Sequence, residues 1–188
     1  MPLWGATDSD ESKPKHLTTA QKKEVFANAS GWVVEAGSTQ SGNGNTSADP
    51  EILVAIGGLA SSIGAADITE IEFITTAFDK SDGGTLQVRV RFNEAVDVSG
   101  TPQLTVVNDT NSNHTLSYAR GTGTNELVFS LTIAAGNAAT DAGDVLSIGT
   151  NAMALNSGTV KDAGTSDNAT ITNSSAIGTA AGTITVSA

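Results

Sequence analysis

The chain has 188 residues, 38 % hydrophobic and only 4 % aromatic, which allows one ordinary domain plus an appendage and a core of Val, Ile, Leu and Ala rather than rings. Nine Lys and Arg stand against 20 Asp and Glu, a net charge of -11 that offers no basic face to phosphates and so argues against nucleic-acid binding. Cysteine is absent, which removes disulfides, thiol chemistry and thiolate metal sites, and no run of about 18 apolar residues marks a membrane span.

Residues 1–50 read as an N-terminal docking arm. Met1-Pro2-Leu3-Trp4-Gly5 has neither the basic start nor the apolar stretch of a secretory signal, and Ala6 to His16 shows no periodicity. Thr18-Thr19-Ala20-Gln21 matches a capping box, and Ala20 to Asn28 predicts one short helix of about two to three turns, closed by Ser30-Gly31. Gly31 to Glu35 predicts a strand, Gly42 to Asn45 a turn, and Glu51 to Ile56 a short apolar strand ending at Gly57-Gly58.

Residues 51–188 read as a β-sandwich. Ile71 and Phe73 alternate with Glu70 and Glu72, and Leu86, Val88, Val90 and Phe92 alternate with Gln87, Arg89 and Arg91. Gln103 to Val106, Thr115 to Tyr118 and Glu126 to Ile133 repeat the period of two, and Val145 to Ile148, Gly158 to Val160, Ala169 to Thr172 and Thr183 to Val186 are further strands. Gly-rich and Asp-rich turns separate them. About seven to nine short strands, each with one apolar face, are satisfied by two sheets packed face to face.

Three ordered stretches carry a resemblance. Val90 to Val106, Tyr118 to Phe129 and Ala154 to Ala163 resemble the F-x-E-x-V, Y-x-x-G-x-G-T and A-L-N-G-G-T-I-K-D-A segments of a bacterial immunoglobulin-like repeat found in large surface and adhesion proteins. The resemblance covers roughly residues 68–186. It implies an immunoglobulin-like β-sandwich with no catalytic activity. The opening Met1 to Gly5, followed by Asp8, Asp10 and Glu11-Ser12-Lys13-Pro14-Lys15, is similar to the start of virion structural proteins of tailed phages infecting marine cyanobacteria.

The acidic turns Asp79 to Gly84, Asp141 to Asp144 and Asp162 to Asp167 raise a calcium question, but without EF-hand spacing or a closing bidentate Glu they read as turns. His16 and His114 have no second ligand at metal spacing, and neither a Gly-x-Ser-x-Gly elbow nor a phosphate loop is present. Glu70 and Glu72, with Arg89 and Arg91, are expected on an outward strand face as a cross-strand ladder. In the arm the expected interface residues are Trp4, Lys13, Pro14, Lys15 and Trp32: Trp4 as an anchor in a neighbouring subunit, Lys13 and Lys15 toward an acidic neighbour, and Trp32 either at the interface or covering its own domain.

The expectation is therefore an all-β chain, an immunoglobulin-like β-sandwich with an extended N-terminal arm containing one short helix. Its expected role is that of a non-enzymatic virion structural protein, a capsid decoration binding capsid or other virion proteins or sister copies, with a host-surface glycan as a further partner. No cofactor, metal, nucleic acid or membrane is expected. The alternatives are a phage tail, neck or baseplate component and a bacterial cell-surface adhesion module.

Overall fold

The computed structural model describes residues 13, 14, 16–28, 31–38, 40, 41, 44–47, 50–55 and 65–188. The arm contains helix α1 (Thr19–Lys22) and strands β1 (Val25–Asn28) and β2 (Gly31–Val34), and β3 (Glu51–Ala55), expected at the start of the sandwich, pairs instead with β2 of the arm. The body contains β4 (Ile68–Phe73), β5 (Phe78–Asp79), β6 (Gly84–Ser99), β7 (Gln103–Asn108), β8 (His114–Arg120), β9 (Thr124–Ile133), β10 (Val145–Ala154), β11 (Thr159–Asp162), helix α2 (Ser175–Ala180) and β12 (Thr183–Ser187). The fold is all-β and sandwich-like, as expected.

One hydrogen-bonded path runs β3-β2-β1-β9-β8-β7-β10-β12-β5, and β6 joins it by pairing with β9, β4 and β11. The sheet curls on itself. Leu86, Val88, Val90 and Phe92 of β6 and Leu127 and Phe129 of β9 thereby share one buried core with Leu104, Val106, Leu116, Leu146, Ile184 and Val186. Strict alternation makes this possible, because successive side chains on a strand point to opposite faces. The long β6 pairs with β9 up to Arg91, shifts register before Val96, and then pairs with β11. It serves both faces of the body.

The predicted helix over Ala20–Asn28 is corrected. The capping box forms, with the Gln21 N–H donating to Thr18 Oγ1 at 3.3 Å and the Thr18 N–H to Gln21 Oε1 at 2.9 Å. The helix nevertheless covers only Thr19–Lys22, and Val25–Asn28 is a strand antiparallel to Gly31–Val34. A four-residue helix has little cooperativity of its own, so β-branched Val25 and the available partner strand win over local helix propensity. Two further corrections concern the C-terminal part. Residues Ala169 to Thr172 form no strand, and Thr170 makes only an isolated bridge to Asp67. Ser175–Ala180 form a second short helix, N-capped by Ser174, whose side chain accepts from the Ile177 N–H.

The predicted strand at Gly31 and the one beginning at Glu51 are present as β2 and β3. Trp4, Lys15, Ser30, Ile56, the Gly57-Gly58 stop and the first half of the Gly42–Asn45 turn lie outside the described residues.

Candidate functional site

The face of β4, β6 and β9 that points away from the core carries Glu70, Glu72, Arg89, Arg91 and Glu126. Register places Glu70 beside Arg91, Glu72 beside Arg89 and Arg91 beside Glu126. The expected ladder forms: Arg91 Nη1 lies 2.7 Å from Glu70 Oε2, and Arg89 Nη1 lies 3.2 Å from Glu72 Oε1. The face is not solvated, however. Arg89, Arg91 and Glu126 are all buried.

The arm covers it. Lys13, only 1 % exposed, donates from Nζ to the Lys22 carbonyl at 2.7 Å and lies 3.7 Å from Glu126 Oε1. Arg89 Nη1 donates to the Lys23 carbonyl at 2.5 Å, and its Nη2 lies 3.5 Å from Glu35. Arg91 Nε donates to Glu126 Oε1 at 2.6 Å. Glu126 therefore sits among three cations, Lys13, Arg89 and Arg91. A buried charge costs several kcal/mol of lost hydration unless it is paired and hydrogen-bonded, so this layer is stable only when complete. Its contribution is to fix where the arm sits.

Asn125 completes the seam. Its Oδ1 accepts the Ala27 N–H at 3.0 Å and its Nδ2 donates to the Phe92 carbonyl at 3.3 Å, bridging β1 to β6. Among the described residues the backbone register between β1 and β9 is Asn28 with Thr124. On the arm's other side Val25, Ala27, Trp32 and Val34 form a second apolar cluster with Leu17 and Leu53, separate from the main core. The arm is thus a small layer with its own core, joined to the body through the ion layer, the Asn125 hydrogen bonds and the pairing of β1 with β9.

These positions revise the expected interface. Trp32 is 4 % exposed within the arm's own cluster, so it covers its own chain. Lys13 meets an acidic partner, but that partner is Glu126 of the same chain. Pro14 is half-buried, its carbonyl accepting the Leu17 N–H at 3.2 Å. Trp4 and Lys15 lie outside the described residues. Asn125 had no sequence signal beyond its place in the second motif, and Glu126 only that and its place on the polar side of the β9 alternation. Only the buried partners reveal their role.

The acidic turns hold themselves together. Asp79 Oδ1 accepts the Ser81 N–H at 2.8 Å and the Ser81 hydroxyl at 2.7 Å, which with Ser187 lowers its pKa. Asp144 accepts from the Asp141 N–H, the Thr110 hydroxyl and the Asn108 and Asn111 amides, which hold it well below the usual carboxylate range. Asp141 is lowered chiefly by Lys80. Asp162 Oδ1 accepts the Gly164 and Thr165 N–H groups at 2.7 and 2.8 Å, while its Oδ2 is buried without a hydrogen-bond partner among the described residues. No group of three His, Cys, Asp or Glu side chains among the described residues is placed to hold a metal ion. His114 is tucked against the Thr140 hydroxyl at 3.2 Å, and burial lowers its pKa against the opposing pull of Asp144.

The three motif stretches build the frame of the body. Phe92 and Val96 are core. The Pro102 carbonyl accepts the Tyr118 N–H at 2.9 Å, and the Tyr118 hydroxyl accepts the Thr122 N–H at 2.8 Å, clamping the β8–β9 turn. Gly121 has φ +119, and a Cβ there would meet the Glu126 carbonyl at 2.0 Å. A Cβ on Gly158 would meet the Ser99 carbonyl at 2.5 Å, where the β6 and β11 ends approach. Comparison with protein families, curated proteins and solved structures yields no match.

Proposed function

We propose that the chain is a non-enzymatic virion structural protein, a decoration of the capsid whose immunoglobulin-like body is displayed and whose N-terminal residues make the attachment. The observation that carries this reading is the use of the three motif stretches. Phe92 and Val96 of these stretches serve the core, Tyr118 clamps a turn, and Gly121 and Gly158 stand where backbone passes too close for a side chain, the roles that a display unit requires. The body is then a spacer or display unit.

The charge supports this role. A net charge of -11 keeps such a unit soluble at the high local concentration of a particle surface. Lys13 and Pro14 belong to the fold, so attachment falls to residues 1–12, which include Trp4. Aromatic anchors of this kind dominate interface energies.

Quantitative mass spectrometry of purified virions tests the proposal. Hundreds of copies per particle are expected for a capsid decoration. A dozen or fewer copies would move the protein to the tail, neck or baseplate, and its absence from particles would overturn the virion reading altogether.

A further inference from the structure

Where the arm meets the β8–β9 turn, the surface opens into a cleft of about 420 Å³. This lies within the range of about 300–1,000 Å³ typical of small-molecule sites. Ala36 and Pro50 supply the accessible apolar part of its lining, above the buried Phe26 and Val128. Thr46 and Thr122 contribute hydroxyl-bearing walls, and Glu35 and Arg120 complete the polar part.

The Glu35–Arg120 pair determines the chemistry. Arg120 Nη1 lies 3.4 Å from Glu35 Oε1, and the Arg120 side chain is 53 % exposed. A guanidinium has five N–H donors in a fixed fork, and among the described residues this one has a single carboxylate contact. Glu35 also faces Arg89 at 3.5 Å, which ties the carboxylate to the buried ion layer and holds it in place. A fixed acceptor and an adjacent fork of donors thus face the same opening.

We infer that this cleft is a binding site for a neutral saccharide unit. Vicinal hydroxyls each donate and accept, so a diol can bridge Glu35 and Arg120 at once. The C–H face of a sugar ring suits the apolar lining. An anionic ligand is disfavoured, because Arg120 is already paired and the chain carries a charge of -11. An apolar ligand would strip water from the ion pair and return no hydrogen bond. The cleft is open and shallow in its polar contacts, so affinity for a single unit is millimolar. The inference does not depend on a particle location.

The test is an amide-shift titration of the full chain with methyl glycosides of glucose, galactose, mannose and N-acetylglucosamine at up to tens of millimolar, with glucuronate and glycerol as controls. At least one glycoside is expected to give saturating shifts at Ala36, Gly121 and Thr122. Arg120→Ala should weaken it at least tenfold without moving the thermal midpoint. Arg120→Gln, which keeps part of the stem and removes the charge, should weaken it similarly and serves if Arg120→Ala perturbs the fold. The inference is overturned if no glycoside gives a saturating shift, if the shifts persist in both variants, or if glucuronate or glycerol produces the same response.

Discussion

Arg91 is the most informative residue to remove. It is buried, and its guanidinium meets Glu126 at 2.6 Å, Glu70 at 2.7 Å and Glu72 at 3.2 Å. Glu70 and Glu72 are partly exposed, so those pairs contribute about 0.2–1 kcal/mol each. Glu126 is different. With Arg91 gone it keeps Lys13 at 3.7 Å and Arg89 Nε at 3.4 Å, the latter without hydrogen-bond geometry. Breaking one partner of a buried pair typically costs about 3–5 kcal/mol. For a chain of this size that corresponds to a fall of about 6–20 °C in thermal midpoint. Arg91→Met separates lost charge from lost volume, since Met fills much of the space of the Arg stem. Arg120→Ala is the exposed control and should cost under about 1 kcal/mol. Thermal and urea unfolding followed by circular dichroism measure all three. If Arg91→Met loses less than about 1 kcal/mol, the face is effectively solvated and the arm does not seal it.

Other consequences follow from the same geometry. Trp32→Ala removes the largest side chain of the arm's cluster, a change that costs about 3–5 kcal/mol in a packed core. Because that cluster is separate from the main core, amides of β1 and β2 should lose hydrogen-exchange protection while those of β6 and β9 keep theirs; a uniform loss would mean that arm and body share one core. His114 has a folded pKa below its ordinary 6.5, so the unfolded state binds the proton more readily. Its contribution is therefore complete above about pH 6.5 and is lost as pH falls through the lower folded value. The urea midpoint should rise across that window, and His114→Gln should flatten the rise. The acidic turns bind their own N–H groups and hydroxyls, so a chelator should leave the melting midpoint unchanged; a clear fall would assign them a calcium role.

The body's framework was legible in the sequence because one principle governs it. From Leu86 to Phe92 of β6 every apolar residue alternates with a polar one, β9 keeps Leu127, Phe129, Leu131 and Ile133 on one face, and the turn residues fall where strands end. The arm was less legible for physical reasons. Ala20 to Glu24 favour a helix and Val25 to Asn28 do not oppose one strongly, so the outcome rests on pairing with β2 and on the Ala27–Asn125 bond across the chain. Propensity carries no information about such a distant partner. The polar face of β6 raised a related ambiguity. Alternation states that Arg89 and Arg91 leave the core, but not whether water or a second charged layer receives them. Lys13, the Lys23 carbonyl and Glu35, all far away in sequence, decide that. Helix α2 went unread because Ser, Thr and Gly dilute its helical signal.

The attachment claim is tested most directly by deleting residues 1–12 and nothing further, since Lys13 belongs to the ion layer. The shortened chain should melt at the same temperature as the full one and should no longer enter virions assembled in its presence. Normal copy numbers of the shortened chain in those particles would contradict the account.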